Sequence, residues 1–473
     1  SSSARPMLLE ARHALLWGQF EYWRLQRDPL TSMRDAERLG REALDQLDAL
    51  ARLDRARPAE RAEALHRLGR IAHERATLVD WVLHRSDPRP QLDLAIVRMW
   101  RALDHAESRQ TILADLGSSY RMRANYEVIY GADERRSLRA AVRILQTTLA
   151  IAPDNPSAHF LIGDTYHQLA MAQERRGARY GATAARADDH FERAHSAAHP
   201  DPWTLGPQST AALLQAKYAR ATGQDPSSAW RRARDRADAA VAHEPTVVGF
   251  RFSRIHADLY GAWLLIERRL HPEPGQTRGR AVALRLANAA DDLATAAAAR
   301  TDTADAITGR TVFQLNHALL QLQWQLTGDA RPDAARMRLV RRQLADAIDR
   351  ADGAQHVGAV RLNALLWAAL AAYAQDGTAA PWAARLEQAL DDFDHALISN
   401  APTVWRGALR WLEALDCGAS PAPASASPAA AAHRPWREAL AKTPWAAADI
   451  GAWHSALASL PRRGCGSSSP HQP

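Results

Sequence analysis

The sequence predicts an all-α solenoid of stacked antiparallel helix pairs. Three observations predict it. Alanine, leucine and arginine dominate while aromatics make up only 7%, a balance that favours helix over strand. Small and apolar residues recur at spacings of three and four, which places them on one helix face. Both features repeat every 46 residues, and a unit of that length buries its apolar faces only by stacking on its neighbours.

The period is anchored at Gly131, Gly177 and Gly223, each 46 residues from the next. Offsets of 10, 14 and 17 from these glycines carry Ala141, Leu145 and Thr148, then Ala187, Phe191 and Ala194, then Ala233, Ala237 and Ala240. One period earlier Arg85 stands at the anchor, followed by Ala95, Met99 and Ala102; near the start Gln26 precedes Ala36, Gly40 and Ala43. A turn signal recurs beside the anchors: Asp28-Pro29, Asp87-Pro88, Asp133 and Asp225-Pro226. Aspartate caps a helix start and proline suits its first turn, so each anchor marks a helix end, a turn and a new helix.

The other half of the unit repeats too. Leu113, Leu116, Gly117 and Tyr120 match His159, Ile162, Gly163 and Tyr166. Between them, "IAPDNPSAHF" predicts a helix ending at Ala152, a Pro-Asp-Asn-Pro turn and a helix opening near Ser157. The glycine predicts close approach of a neighbouring helix, with the tyrosine filling the space beside it.

These residues resemble the tetratricopeptide repeat: Ile162, Gly163, Tyr166, Ala187, Phe191, Ala194 and Pro200, and in the preceding unit Leu116, Gly117, Tyr120, Ala141, Leu145, Thr148 and Pro153. That repeat is typically about 34 residues long. The excess here falls between the tyrosine and the first alanine, which lengthens each helix by about 9 Å. The resemblance implies roughly eight helix pairs in a right-handed superhelix. The long unit with its Gly-x-Asp-Pro turn is also similar to repeats found C-terminal to the catalytic domain of bacterial eukaryotic-like serine/threonine protein kinases.

The same reading divides the chain. Residues 7–105 hold N-terminal helical repeats and 106–246 the regular units. Residues 247–418 carry degenerate units, in which Gly328 precedes Val340, Leu344 and Ala347, and Gly377 precedes Ala389, Phe393 and Ala396. An Ala/Pro/Ser linker spans 419–432, a helical segment with Trp436, Trp445 and Trp453 spans 433–463, and 464–473 is a disordered tail.

Composition excludes several classes. Two cysteines, Cys417 and Cys465, make neither a disulfide framework nor a zinc site. The most apolar stretch, Leu362 to Ala374, is too short to span a bilayer. The net charge of +7 is almost all arginine, with Lys217 and Lys442 the two lysines, and acids are interspersed throughout. The chain opens Ser-Ser-Ser without a signal-peptide pattern, as expected of a portion of something longer, cytoplasmic and bacterial, with any membrane association coming through a parent protein.

No catalytic motif emerges. The kinase's Gly-rich loop, His-Arg-Asp and Asp-Phe-Gly do not occur in the chain. "DDHFE" (Asp188, Asp189, Glu192) resembles a magnesium motif, but its neighbours Ala187 and Phe191 are repeat positions, which turns both aspartates outward; "DDFD" (Asp391, Asp392, Asp394) reads alike. His73-Glu74 opens like a zinc-protease helix, but Thr77 stands where the second histidine belongs. The 15 tryptophans read as packing, and "WRRARDRADAA" (230–240) as a solvated outer helix. The expectation is therefore no catalytic residue, cofactor or metal.

By the resemblance, the first helix of each unit lines a concave groove. Its groove-facing residues are Ala114, Ser118, Arg121 and Met122 in one unit and Phe160, Asp164, His167 and Gln168 in the next. The lysine clamp that some such domains use for a terminal carboxylate is missing. The reading is a non-catalytic scaffold that binds a protein or peptide in this groove, as the regulatory or substrate-recruiting region of a bacterial serine/threonine kinase. The alternatives are an RNA-binding helical-repeat protein, which predicts arginines clustered in the groove, and an α/α-toroid enzyme, which predicts inward carboxylates.

Overall fold

A computed structural model describes residues 58–83, 86–130, 132–176, 178–195, 202–298, 304–327, 334–351, 358–376 and 378–391, with Arg38, Arg41, Glu42 and Asp45 singly. The linker, the Trp-rich C-terminal segment and the tail lie outside the described residues, as do Asp392, Phe393, Asp394 and most of the first predicted repeat.

Among the described residues all regular structure is helical. The α-helices are α1 (Pro58–Glu74), α2 (Arg89–Leu103), α3 (Gln110–Ile129), α4 (Arg135–Ile151), α5 (Pro156–Arg175), α6 (Gly181–Ala194) and α7 (Leu205–Ala221). They continue as α8 (Ser227–His243), α9 (Val248–Ile266), α10 (Arg278–Ala298), α11 (Ala304–Thr327), α12 (Ala334–Ala351), α13 (Gly358–Asp376) and α14 (Ala380–Asp391). Helix α1 runs on into a π-helical stretch, Arg75–Leu83.

The chain divides into two compact units. Unit 1 is Ser1–Ala172 with Arg186–Asp201, and unit 2 is Gln173–Ala185 with Pro202–Pro473. Within each, helices pack as sequential antiparallel pairs: α1 with α2 and α3 with α4 in unit 1, α7 with α8, α9 with α10, α11 with α12 and α13 with α14 in unit 2. A first helix also touches the first helix of the next pair, as α1 with α3 and α7 with α9, while second helices such as α2 and α8 wedge against the following first helix. This is the α-solenoid class, with tetratricopeptide-like pairs.

The periodic residues build the core. Ala95, Met99 and Ala102, then Ala141, Leu145 and Thr148, then Ala187 and Phe191, then Ala233, Ala237 and Ala240 are all fully buried. Gly117 faces Leu145 so closely that a Cβ there would stand 2.5 Å from Leu145 Cγ, and one on Gly163 would stand 2.8 Å from Phe191 Cδ1. The glycines thus admit the second helix of their own pair. The tyrosines fill the space beside them, with Tyr166 stacked on His190 at 5.7 Å and Tyr120 against the cluster of Leu116 and Ile144, and their hydroxyls reach back to the preceding second helix, where Trp100 Nε1 donates to Tyr120 Oη at 3.3 Å and Gln146 Nε2 to Tyr166 Oη at 3.5 Å.

The turn aspartates cap. Asp87, Asp133 and Asp225 each accept the backbone N–H two residues on, from Arg89, Arg135 and Ser227 at 3.0, 3.2 and 2.9 Å. Asn155 caps α5 through the Ala158 N–H at 2.9 Å. The helix-forming excess lies within the helices, as expected, with α3 and α5 each 20 residues long.

Two outward readings are corrected. Asp188 is buried, 8% exposed, because it lies four residues after Ala184 and three before Phe191, on the flank of the buried stripe of α6. Asp189 is exposed. Arg234, expected on a solvated face, is withdrawn onto the fully buried Asp258 at 2.8 Å. Tryptophans divide: Trp230 and Trp367 are buried, Trp100 and Trp203 exposed.

Candidate partner-binding site

Helices α1, α3 and α5 are the first helices of three successive pairs in unit 1. Their shared side carries a chain of polar side chains. His66 Nε2 meets Asp115 Oδ2 at 2.8 Å, and Arg70 Nε lies 3.5 Å from the same oxygen. Ser119 Oγ donates to the Asp115 carbonyl at 2.9 Å, which leaves it to accept from His73 Nδ1 at 3.0 Å. Two residues on, Arg121 Nη1 donates to Asp164 Oδ2 at 2.5 Å, and Gln168 Nε2 to that same oxygen at 3.4 Å.

The electrostatics follow from burial. His73 is pushed down to about 4, first by desolvation and then by the neighbouring Arg121, with Asp115 opposing and Arg70 adding a smaller push down. It is therefore neutral at pH 7, which suits its donor role toward Ser119. Gln168 is 8% exposed, and its Oε1 is buried without a hydrogen-bond partner, as is Nε of Arg121. Each such atom costs the fold about 1–3 kcal/mol.

The structure brings Arg121, Asp164 and Gln168 together. It turns others aside. Phe160 lies against Phe191 with ring centroids 5.8 Å apart, so it faces the second helix of its own pair. Met122 packs beside Trp81 on a cluster of Ala76, Leu92 and Tyr126. Ala114, Ser118 and His167 are half-buried on the same two helices. Sequence reasoning missed His66, Arg70, His73, Asp115 and Ser119. The signal was available, because His73 and Ser119 stand one period of 46 residues apart and a period stacks equivalent positions.

In unit 2 the equivalent contact between first helices is stronger. Arg220 of α7 forms two hydrogen bonds to Glu267, just past α9, at 2.7 and 2.5 Å, with its guanidinium 3.7 Å from the Trp263 ring centroid. These side chains are only 6% and 14% exposed, so the pair is a buried tie rather than an open contact.

Among the described residues no group of three or more His, Cys, Asp or Glu is placed to hold a metal, and no helix is long and apolar enough to cross a membrane. What the face of unit 1 offers is hydrogen bonding: a fixed carboxylate and a fixed guanidinium, held beside an amide.

No protein-family model matches the chain, and no curated protein sequence does. Among solved structures it is similar to the S. pombe nuclear import adaptor Nro1, at 12% identity and TM-score 0.41, over 64% of this chain and 99% of that one. It is similar to a human IFIT1 dimer with m7Gppp-AAAA at 10% identity and TM-score 0.34, over 92% and 94% of the two chains. A circular tandem repeat protein with novel repeat topology aligns at 13% identity and TM-score 0.21, over 97% and 98%.

Proposed function

We propose that the chain is a non-catalytic scaffold that recognises a protein or peptide along the first-helix face of α3 and α5. The observation that carries this is the fixed polar row where α3 meets α5: Arg121 and Gln168 both bond Asp164 Oδ2, and the Arg121 and Asp164 side chains stay 16% and 23% exposed. A polypeptide backbone presents both complements, an N–H and a carbonyl, at every residue. The surrounding ion pair holds the two side chains in place before a partner arrives, which lowers the ordering cost of binding. The test is a pull-down from the source cell's lysate with wild type and Gln168→Leu, which keeps the side-chain volume and removes the amide. A protein retained by wild type and lost with Gln168→Leu is the expected result. No retained protein, or equal retention by both, overturns the reading.

We further propose that this scaffold is the regulatory or substrate-recruiting region of a bacterial serine/threonine kinase, on the resemblance of its long units. Gene sequence upstream of residue 1 tests this: His-Arg-Asp and Asp-Phe-Gly motifs are the expected finding, and an unrelated reading frame is the contrary one. The net charge of +7 supports RNA as a second reading. Against it, Arg121 is already paired with Asp164 and Arg70 sits beside Asp115.

A further inference from the structure

Helix α4 carries four arginines and no acidic residue in its 17 positions. Arg135 is committed, its guanidinium bonded to Asp133 at 2.6 Å. Glu134, the other acid at this end, is buried at 3% exposed. The remaining three, Arg136, Arg139 and Arg143, are exposed, and among the described residues no hydrogen bond, ion pair or ring contact engages their side chains. Spacings of three and four put them within an arc of about 60°, over about 10 Å of helix. Leu138, Ala141, Val142, Leu145 and Thr148 form the buried stripe on the opposite side, so the arginines face away from the core.

This arrangement works against the helix. Like charges three and four residues apart repel, and Arg136 lies in the first turn, where the backbone dipole disfavours a cation. That turn holds no acid to offset it. Helix α6 shows the common remedy, with Arg193 paired to Asp189 one turn back at 3.1 Å. The stripe on α4 also has an apolar end. Ile151 is 52% exposed, about 12 Å beyond Arg143 on the flank of the same face. The basic surface is one helix wide. In unit 1 the second helices before and after α4 expose acids, Asp93 on α2 and Asp189 and Glu192 on α6. An anionic bilayer spread over these helices would meet those carboxylates as well as the arginines. A nucleic-acid strand following α4 would carry its next phosphates onto Ile151 and the exposed Asp154. A polypeptide can follow its acids with an apolar residue, and its carboxylates match the planar fork of a guanidinium.

We propose that the outer face of α4 docks an acidic segment of a partner protein, with carboxylates at helical spacing on Arg136, Arg139 and Arg143 and an apolar side chain toward Ile151. The surface is separate from the first-helix face, because α4 is the second helix of its pair. Fluorescence anisotropy of the full chain tests it. The probe is a labelled helical peptide of about 20 residues, with three glutamates spaced three and four apart and a leucine two turns beyond them, together with its reversed sequence. At about 50 mM salt one of the two directions is expected to bind at least about tenfold tighter than the same peptide with glutamines, and to lose most of that advantage by about 300 mM. Arg139→Glu with Arg143→Glu is expected to weaken binding about tenfold or more, and Ile151→Ser about threefold, while circular dichroism stays unchanged. The doubly reversed chain is expected to prefer the peptide with lysines in place of glutamates. Gln168→Leu should bind the probe like wild type, which keeps this surface distinct from the first-helix face. The proposal is overturned if neither acidic peptide binds up to about 1 mM, or if the glutamine peptide binds as well. It is also overturned if the Arg139 and Arg143 reversals bind like wild type. Tighter binding of a uridine oligonucleotide or of phosphatidylserine vesicles through the same arginines overturns it too, in favour of a nucleic-acid or lipid surface.

Discussion

At Gly117 the space for one methyl group is missing. A Cβ would lie 2.5 Å from Leu145 Cγ and 2.6 Å from Cδ2, so the whole isobutyl group must move, not just its tip. Alanine gains about 1 kcal/mol of helix propensity over glycine, but overpacking costs about 1–3 kcal/mol. We expect Gly117→Ala to lose about 1–2 kcal/mol in urea unfolding, and Leu145→Val in that background to recover part of it. A Gly117→Ala chain as stable as wild type would disprove the close-approach role. A second residue-scale prediction concerns acid. His73 and His190 are both lowered to about 4, His73 chiefly by burial and His190 by burial and then by His159. A group whose folded pKa is depressed from about 6.5 keeps the folded state neutral, so its stabilising share is complete above about 6.5 and drains as pH falls toward 4. Discounted for partial exposure, each histidine should cost on the order of 1 kcal/mol by about pH 5. Urea titrations at pH 7 and 5 check this, and His73→Asn should roughly halve the difference.

At the element scale, the tie between α7 and α9 makes the sharpest case. Arg220 and Glu267 are nearly withdrawn from water, so neutralising one partner strands the other. Glu267→Gln is expected to cost about 3 kcal/mol, whereas Arg220→Met with Glu267→Leu together should be close to neutral. A small loss in the single variant would mean that water reaches the pair. Helices and their pairing were legible because periodic burial and a capping aspartate are local signals: Ala141, Leu145 and Thr148 could be placed in the core without knowing what they touched. Gln168 was legible as a first-helix residue for the same reason, but its missing partner was not, since that depends on where Asp164 spends its oxygen. Phe160 was misjudged because a half-buried aromatic obeys the nearest apolar surface, here Phe191, before any period. Asp188 was misjudged because its flank position lies within a turn of two buried neighbours, and helix spacing alone does not separate flank from exposed face. The π-helical stretch after α1 left no recognised mark, as a one-residue widening of the ring changes no residue type.

For the whole molecule, the question is what its charge is for. A net +7 over 473 residues attracts any polyanion weakly, and such binding weakens as salt rises, because releasing condensed counterions into a saltier solution gains less. Where the described arginines are concentrated in contacts they are mostly spent: Arg121 on Asp164, Arg220 on Glu267, Arg234 and Arg285 on Asp258, Arg251 and Arg254 on Asp292. A carboxylate already bonded to a guanidinium in a low-dielectric setting is not readily displaced by a phosphate that must shed its own water. Generic single-stranded RNA should therefore bind in the non-specific range, with Kd of about 10⁻⁵ M or weaker at physiological salt, and lose most of that between about 50 and 200 mM. The protein partner retained through Gln168 should instead survive that salt step, because its contacts are hydrogen bonds and buried surface rather than released ions. Filter binding of RNA and retention of the partner, each measured at both salt concentrations, place the two readings in direct opposition. RNA bound far more tightly than that non-specific range at physiological salt, with the protein partner lost, would make the basic surface the functional one and the first-helix face a structural seam.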